Sequence, residues 1–171
     1  MSRIRGINTR PEVRLRQELW RRGVRYRVNP RLPFGKPDLA LLGRRVAIFI
    51  DGCFWHGCPE HYFAPRTRRA FWAQKLRENV ERDRRQVADA ERLGWTVLRV
   101  WEHEVRLSPA HTARALLESM AGGETPEEWR VYAVSSSSDG REQRRLVDLR
   151  TGRRRRSMRP PRHPPSAQSL A

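Results

Sequence analysis

Two apolar runs, residues 38–42 (Asp-Leu-Ala-Leu-Leu) and 46–50 (Val-Ala-Ile-Phe-Ile), are joined through only Gly43-Arg44-Arg45. They read as a hairpin of buried strands, and the rest of the chain must supply the layers that cover it. Before the hairpin, residues 9–22 predict a helix. Thr9-Arg10-Pro11-Glu12 has the form of a capping box with proline near the first turn, and Gly23 stops the helix. Leu15 and Leu19 lie four apart, and Val13 and Trp20 seven apart, which predicts one apolar face. The alternating segment 24–28 predicts a strand, and residues 29–36, rich in Pro and Gly, a loop. After the hairpin, residues 67–93 predict a long helix opened by Thr67 and closed by Gly94, with Trp72, Leu76, Val80 and Val87 on its inner face. Residues 95–101 predict a third apolar strand and residues 109–120 another helix. The order hairpin, helix, strand implies an α/β sheet layered with helices.

Charge sets the class of partner. The chain has 171 residues with 36 Lys or Arg against 19 Asp or Glu, a formal charge of +17. That points to a polyanion, most often nucleic acid, or else reflects an arginine-rich coding bias that bears on solubility alone. Seven arginines and no acid fall in residues 150–171 beside Pro160, Pro161, Pro164 and Pro165, the composition of a disordered tail. Removing those seven charges leaves +10 on residues 1–149. The expected organisation is a folded domain over residues 1–122, an appended segment over 123–149 with a late hairpin around Asp139-Gly140, and the tail. No apolar run is long enough to cross a bilayer, and the N-terminus has no signal-like segment. Two cysteines cannot form a disulfide framework. A cytoplasmic, nucleoid-associated monomer is expected.

The chemistry begins at Asp38. An acid at the entry to an apolar strand must be solvated, paired or bound to a metal. The hairpin returns at Ile50-Asp51, and two such strand ends can bring a carboxylate beside a main-chain carbonyl or a second carboxylate, hard oxygen ligands that suit Mg²⁺. Taken alone, Asp38 reads better as a turn hydrogen bond than as a metal ligand. The next segment shifts the balance. Both cysteines and two of the five histidines fall between Cys53 and His61. Thiolate and imidazole are the preferred ligands of Zn²⁺, and a structural site wants four of them. Cys53, Cys58 and His61 supply three, and the fourth is either His56 or a distant residue such as His103. If His103 completes the set, His56 is free to accept a proton from an attacking water. If His56 is a ligand, it cannot. Glu12 and Asp83 lie on the inner faces of their helices, where a cap and a salt bridge are the ordinary roles and support of a catalytic site the more specific one. Phe54, Trp55 and Trp72 read as core aromatics, or as groups that stack on or wedge between bases beside a basic cleft.

At these residues the chain resembles the very-short-patch repair (Vsr) endonucleases, a DNA mismatch-nicking branch of the restriction-endonuclease-like superfamily. The matching segments are NTRPEVRLRQEL, GKPDLAL, AIFIDGCFWHGCPEH, AFWAQKL, ENVERDRR and LGWTVLRVWEHEV, in order over residues 2–120. The resemblance implies a restriction-endonuclease-like mixed central sheet flanked by helices, with a structural zinc site, and a nick 5′ to the thymine of a T·G mismatch. It implies that Asp38 holds catalytic Mg²⁺ with the Ile50 carbonyl, that His56 is the general base, and that Glu12 supports the site. It gives Phe54, Trp55 and Trp72 the role of wedges that open the duplex. It assigns the zinc to Cys53, Cys58, His61 and His103. Two positions depart from the better-known members, which carry histidine in place of Asp51 and cysteine in place of His103. The first brings a carboxylate within reach of the metal shell, and the second is a swap that zinc tolerates. Members usually begin with a further basic helix, so an upstream start or a reduced grip on DNA is expected. A cognate cytosine methyltransferase and mismatch-repair proteins are the implied partners. Two rivals are a catalytically silent, zinc-stapled DNA-binding protein and a restriction-like nuclease without a mismatch requirement.

Overall fold

The computed structural model describes residues 8–122 in full, together with the backbone of strands Val131–Ser137, Glu142–Asp148 and Arg154–Arg155. Helix α1 (Arg10–Arg21) begins at the predicted cap, where the Thr9 side chain accepts from the Glu12 N–H. Glu12 answers by accepting from the Thr9 hydroxyl at 2.8 Å and the Asn8 N–H at 2.9 Å. Gly23 (φ 80°) closes the helix with paired bonds, Gly23 N–H to Trp20 O and Val24 N–H to Leu19 O, each 3.0 Å. That left-handed cap is one glycine adopts without strain. Leu15 and Leu19 are fully buried, but Val13 and Trp20 are 37% and 53% exposed. Val13 is two residues from Leu15, about 200° around the helix, so the seven-residue pair lies off the buried stripe.

The predicted strand 24–28 shortens to β1 (Arg27–Val28), an exposed edge. Tyr26 turns toward α1 instead and donates its hydroxyl to Arg16 O at 2.8 Å, while Asn29 at φ 48° breaks the extended backbone. Strands β2 (Leu39–Leu41), β3 (Val46–Asp51) and β4 (Thr96–Trp101) complete a sheet in the order β1-β2-β3-β4. The hairpin β2–β3 is antiparallel, with Leu39 opposite Ile48. Its turn is a 3₁₀ segment, Leu42–Arg44, that leaves Leu42 47% exposed. Strands β3 and β4 are parallel, with Phe49 beside Arg99 and Asp51 beside Trp101. A parallel step needs a crossover, and helix α2 (Arg69–Arg92) lies within it. It starts two residues beyond Thr67 because Arg68, left-handed at φ 53°, takes the cap position. Gly94 (φ 73°) ends it in the same glycine cap as α1, with Trp95 N–H on Ala90 O at 2.9 Å. A short helix missed by the sequence reading, α3 (Glu102–Leu107), precedes α4 (Pro109–Met120).

Both faces of the sheet are covered. On one, Leu15 and Leu19, Val105 and Leu116 pack with Leu39, Ile48, Leu98 and Val100. On the other, α2 covers two separate apolar clusters. Phe34, Ala47, Phe49 and Ala90 form the first; Cys53, Cys58, Tyr62, Leu76, Val80 and Trp101 form the second. Asp51, Asp83 and Arg99, at most 4% exposed, are buried on that side. A buried ion pair is roughly neutral, or worse, against apolar side chains of equal volume. Stability therefore does not explain charges at this place in the core. The domain is thus a mixed α/β sheet flanked by helices. Strands β5 (Val131–Ser137) and β6 (Glu142–Asp148) pair antiparallel, and β7 (Arg154–Arg155) adds to β6. The turn expected at Asp139-Gly140 lies outside the described residues. Among the described residues, no helix is long and apolar enough to cross a membrane.

Candidate active site and metal centre

Asp38 stands one residue before β2, and the antiparallel pairing brings it to the end of β3. Its Oδ2 accepts the Ile50 N–H at 2.8 Å. Burial pushes the Asp38 carboxyl up to about 6. The Ile50 N–H opposes that rise, the charges of Glu12 and Asp51 add to it, and Arg99 pulls the other way. Glu12, 4% exposed, approaches from α1. Its carboxylate is held within its own helix by Arg16 Nη2 at 2.8 Å as well as by the cap.

The α2 side of the floor is a chain of contacts. His56 Nδ1 lies 2.6 Å from Asp83 Oδ2 and 3.7 Å from Asp51 Oδ1. Asp83 Oδ1 lies 3.2 Å from Arg99 Nη2. Arg99 grips Asp51 with both prongs, Nε on Oδ2 at 2.7 Å and Nη2 on Oδ1 at 2.6 Å. The Arg99 guanidinium also stacks 4.6 Å over the Phe49 ring. Asn79, one turn before Asp83, donates its side-chain N–H to Trp55 O at 2.8 Å and so ties the loop after β3 to α2. Arg99 is the residue that the sequence reading missed. Its signal was a lone charge inside an otherwise apolar strand, because a buried guanidinium demands acids around it.

Cys53, Cys58, His61 and His103 bring one ligand atom each to within 4.8 Å of one another, and this set could hold a metal ion. The sulfur–nitrogen separations are 3.3 Å (Cys53 to His103), 3.5 Å (Cys58 to His103) and 3.7 Å (Cys58 to His61). Tetrahedral coordination by two thiolates and two imidazoles has such edges at roughly 3.6 Å. Glu60 Oε2 stands 3.6 Å from the far nitrogen of His103, the orientation of a carboxylate behind a metal-bound imidazole. The two thiols share a proton, which drives Cys58 well below the ordinary thiol range and Cys53 above it. Burial lowers the affinity of His103 for a proton, but the Cys58 thiolate and Glu60 more than offset it, and the net direction is up. His56 is not among the four ligands. Glu102 ties the cluster to the cleft: its Oε1 accepts the Cys53 N–H at 2.9 Å and its Oε2 meets Arg106 at 2.6 Å.

Phe54, Trp55 and Trp72 converge. Phe54 meets Trp55 edge-on at 5.1 Å and Trp72 at 5.2 Å, and Trp55 lies 6.1 Å from Trp72. Trp55 is 41% exposed. Phe71, 48% exposed, extends the cluster with its ring 5.2 Å from Trp72 and the Arg68 guanidinium 5.0 Å from its centre.

An open cleft of about 990 Å³ has Glu12, Asp38, Ile50, Asp51, His56, Asp83 and Trp55 on its walls, while Phe54, Trp72 and the Cys and His cluster lie outside its lining. Arg10, Arg14, Lys36, Arg82 and Arg106 also line it. A cation held among the carboxylates would add to the attraction that these side chains exert on a phosphate. Asp38 has the chemistry of that cation's ligand, being a buried carboxylate beside a main-chain strand end. His56 turns Nδ1 to Asp83, and Nε2 is the ring nitrogen that this contact leaves over.

Comparison with known proteins gives the chain its relatives. A family model described as DNA mismatch endonuclease Vsr matches residues 1–61. The chain is 49% identical over 109 residues to the type II nicking enzyme V.NaeI of Lentzea aerocolonigenes, covering 61% of this chain and 66% of that protein. It therefore spans just under two thirds of that relative's length. It is 40% identical over 130 residues to the DNA mismatch endonuclease Vsr of Escherichia coli (strain K12), covering 74% of this chain and 80% of that one. It is 38% identical over 108 residues to the type II nicking enzyme V.NmeAIP of Neisseria meningitidis serogroup A, covering 62% and 76%.

Proposed function

The chain belongs to the DNA mismatch endonuclease Vsr family, and from that premise we propose that it is a DNA endonuclease that nicks one strand 5′ to the thymine of a T·G mismatch, by Mg²⁺-dependent hydrolysis. The observation that carries the reading is a single cleft holding both Asp38, bonded to the Ile50 N–H, and His56, bonded to Asp83.

Asp38 and the Ile50 carbonyl would hold Mg²⁺, which when bound supplies Lewis-acid stabilisation of charge on the phosphate and leaving oxygens. His56 does the proton work. Its Nδ1–H donates to Asp83, so Nε2 carries the lone pair and accepts a proton from the water that attacks phosphorus. A positioned base of this kind contributes about 10²–10⁴-fold in rate. Glu12 and Asp51 support the floor, and the surrounding arginines hold the backbone phosphates. Phe54, Trp55 and Trp72 wedge into the stack beside the mismatch. Cys53, Cys58, His61 and His103 would hold a structural Zn²⁺, tying the loop that carries Phe54, Trp55 and His56 to the end of β4. The protein acts as a monomer, with a cognate cytosine methyltransferase and mismatch-repair proteins as its partners in the cell.

The test is a nicking assay on labelled duplexes that differ only in T·G against T·A, with Mg²⁺ added. Wild type nicks the mismatch, and Asp38→Ala and His56→Ala abolish nicking while circular dichroism stays unchanged. Full activity in either variant refutes the mechanism. Equal cutting of both duplexes refutes the mismatch requirement and favours a restriction-like nuclease. The absence of any nick favours a silent binding protein.

A further inference from the structure

Arg99 stands where the strand pattern calls for an apolar side chain. Residues 98 and 100 are both buried in the core, at 1% exposure each, and Arg99 itself is only 4% exposed. Its fork takes both oxygens of Asp51, at 2.7 and 2.6 Å. The same Nη2 lies 3.2 Å from Asp83 Oδ1, and the other Asp83 oxygen holds His56 at 2.6 Å. The four side chains form one series, Asp51–Arg99–Asp83–His56.

We propose that Arg99 is the positioning residue of this site, withholding Asp51 from the metal shell and fixing Asp83 against His56. The inference rests on the proposed nuclease reading and assigns two of its acids. Both oxygens of Asp51 are engaged by charge-assisted bonds, so coordination by Asp51 would require breaking them. Asp38 accepts a single main-chain N–H at Oδ2 and is the carboxylate left to hold a cation. Asp83 is fixed differently. Its Oδ1 meets the Arg99 guanidinium on β4 at 3.2 Å and, more distantly, Arg82 on its own helix at 3.6 Å, while Oδ2 meets the imidazole on the loop after β3, so the carboxylate plane and the His56 ring are set together. A lysine cannot reproduce this, because an ammonium has no planar fork with which to hold Asp51 at two points and still reach Asp83.

Two measurements on the full chain test the proposal. The first is Mn²⁺ binding without DNA, read from the free-ion electron paramagnetic resonance signal. Asp38→Asn should weaken binding about tenfold or more, and Asp51→Asn should leave it within about twofold. A tenfold loss in Asp51→Asn would make Asp51 a ligand and overturn the first half. The second is single-turnover nicking, with the imidazole N–H proton resonance of His56 followed alongside. Arg99→Lys and the double variant Arg99→Met/Asp51→Asn should lower the rate at saturating duplex by about tenfold or more, with half-saturation within about twofold, and the resonance should be lost. A double variant with wild-type rate and an intact resonance overturns the second half. Should Arg99→Lys fail to fold, the double variant, which removes both members of the ion pair, and Asp51→Asn still decide. Failure of the nuclease reading would look different. His56→Ala would then be fully active or wild type inert, while the Mn²⁺ affinities and the imidazole resonance would still report on Arg99.

Discussion

Replacing Asp38 by asparagine should stabilise the protein while destroying its activity. The folded carboxyl titrates at about 6 because it is buried, against 3.8 for an ordinary aspartate. Between those values the folded chain keeps a proton that the unfolded chain has released. Stability therefore falls as pH rises through this window, and the penalty is complete above the folded value. The gap corresponds to about 3 kcal/mol at neutral pH. Asparagine removes the charge and still accepts the Ile50 N–H through its carbonyl oxygen. The urea midpoints of wild type and Asp38→Asn, compared in metal-free buffer, should differ by about 1–3 kcal/mol in favour of the variant at pH 7.5. The advantage should shrink below pH 6 and vanish near pH 4. Protonation of the Cys and His cluster at low pH affects both proteins alike and cancels in the difference. Adding Mg²⁺ should raise the wild-type midpoint and leave the variant where it was. A variant less stable than wild type at pH 7.5, or a difference that does not change with pH, refutes the reasoning.

Three other outcomes follow from the same geometry. Chelation of the metal, or Cys58→Ser, should lower stability by roughly 4 kcal/mol, the value for closing a loop of about 50 residues. Thermal unfolding checks this, and an unchanged midpoint would show the cluster to be empty of structural metal. Trp72→Ala should slow T·G nicking by about 10–100-fold, since stacking on a base is worth about 1–3 kcal/mol. Wild-type rates in this variant would remove Trp72 from the wedge. Deleting residues 150–171, with their seven arginines, should flatten the plot of log affinity against log salt by up to roughly six units of slope. An unchanged slope would mean that the tail does not touch phosphate.

Local chemistry was the legible part. Thr9 and Glu12 announce α1, and Gly23 and Gly94 announce where helices stop, because each acts within one turn of itself. The short hairpin connection made the meeting of Asp38 with Ile50 inferable, since little freedom remains between them. The density of Cys and His marked Cys53, Cys58 and His61, while the choice of His103 over His56 came from the family resemblance, and the structure brings His103 to the other three. What failed was what depends on partners far along the chain. Arg99 finds Asp51 only across the parallel pair, and Asp83 only after α2 has docked, so its apolar neighbours mark it as a charge out of place without naming its partners. Tyr26 alternates as a strand residue should, but the backbone carbonyl of Arg16 draws it out of the sheet. Arg68 assumes a left-handed conformation that sequence favours for Gly or Asn, and α2 starts late as a result.

The pairing of Phe49 with Arg99 also selects among ways of aligning two strands. Val46–Asp51 and Thr96–Trp101 are both largely apolar, and apolar parallel strands discriminate poorly between neighbouring alignments. A slip of one position would turn Arg99 into the layer of Leu98 and Val100, an unpaired cation in hydrocarbon. A slip of two would keep its face but carry it about 6.6 Å along the sheet, beyond the reach of both Asp51 and Asp83. Only one alignment satisfies all three charges. The groups that surround the candidate chemistry thus also reject misaligned folds, and a variant that made this layer apolar would risk gaining stability while losing a unique structure.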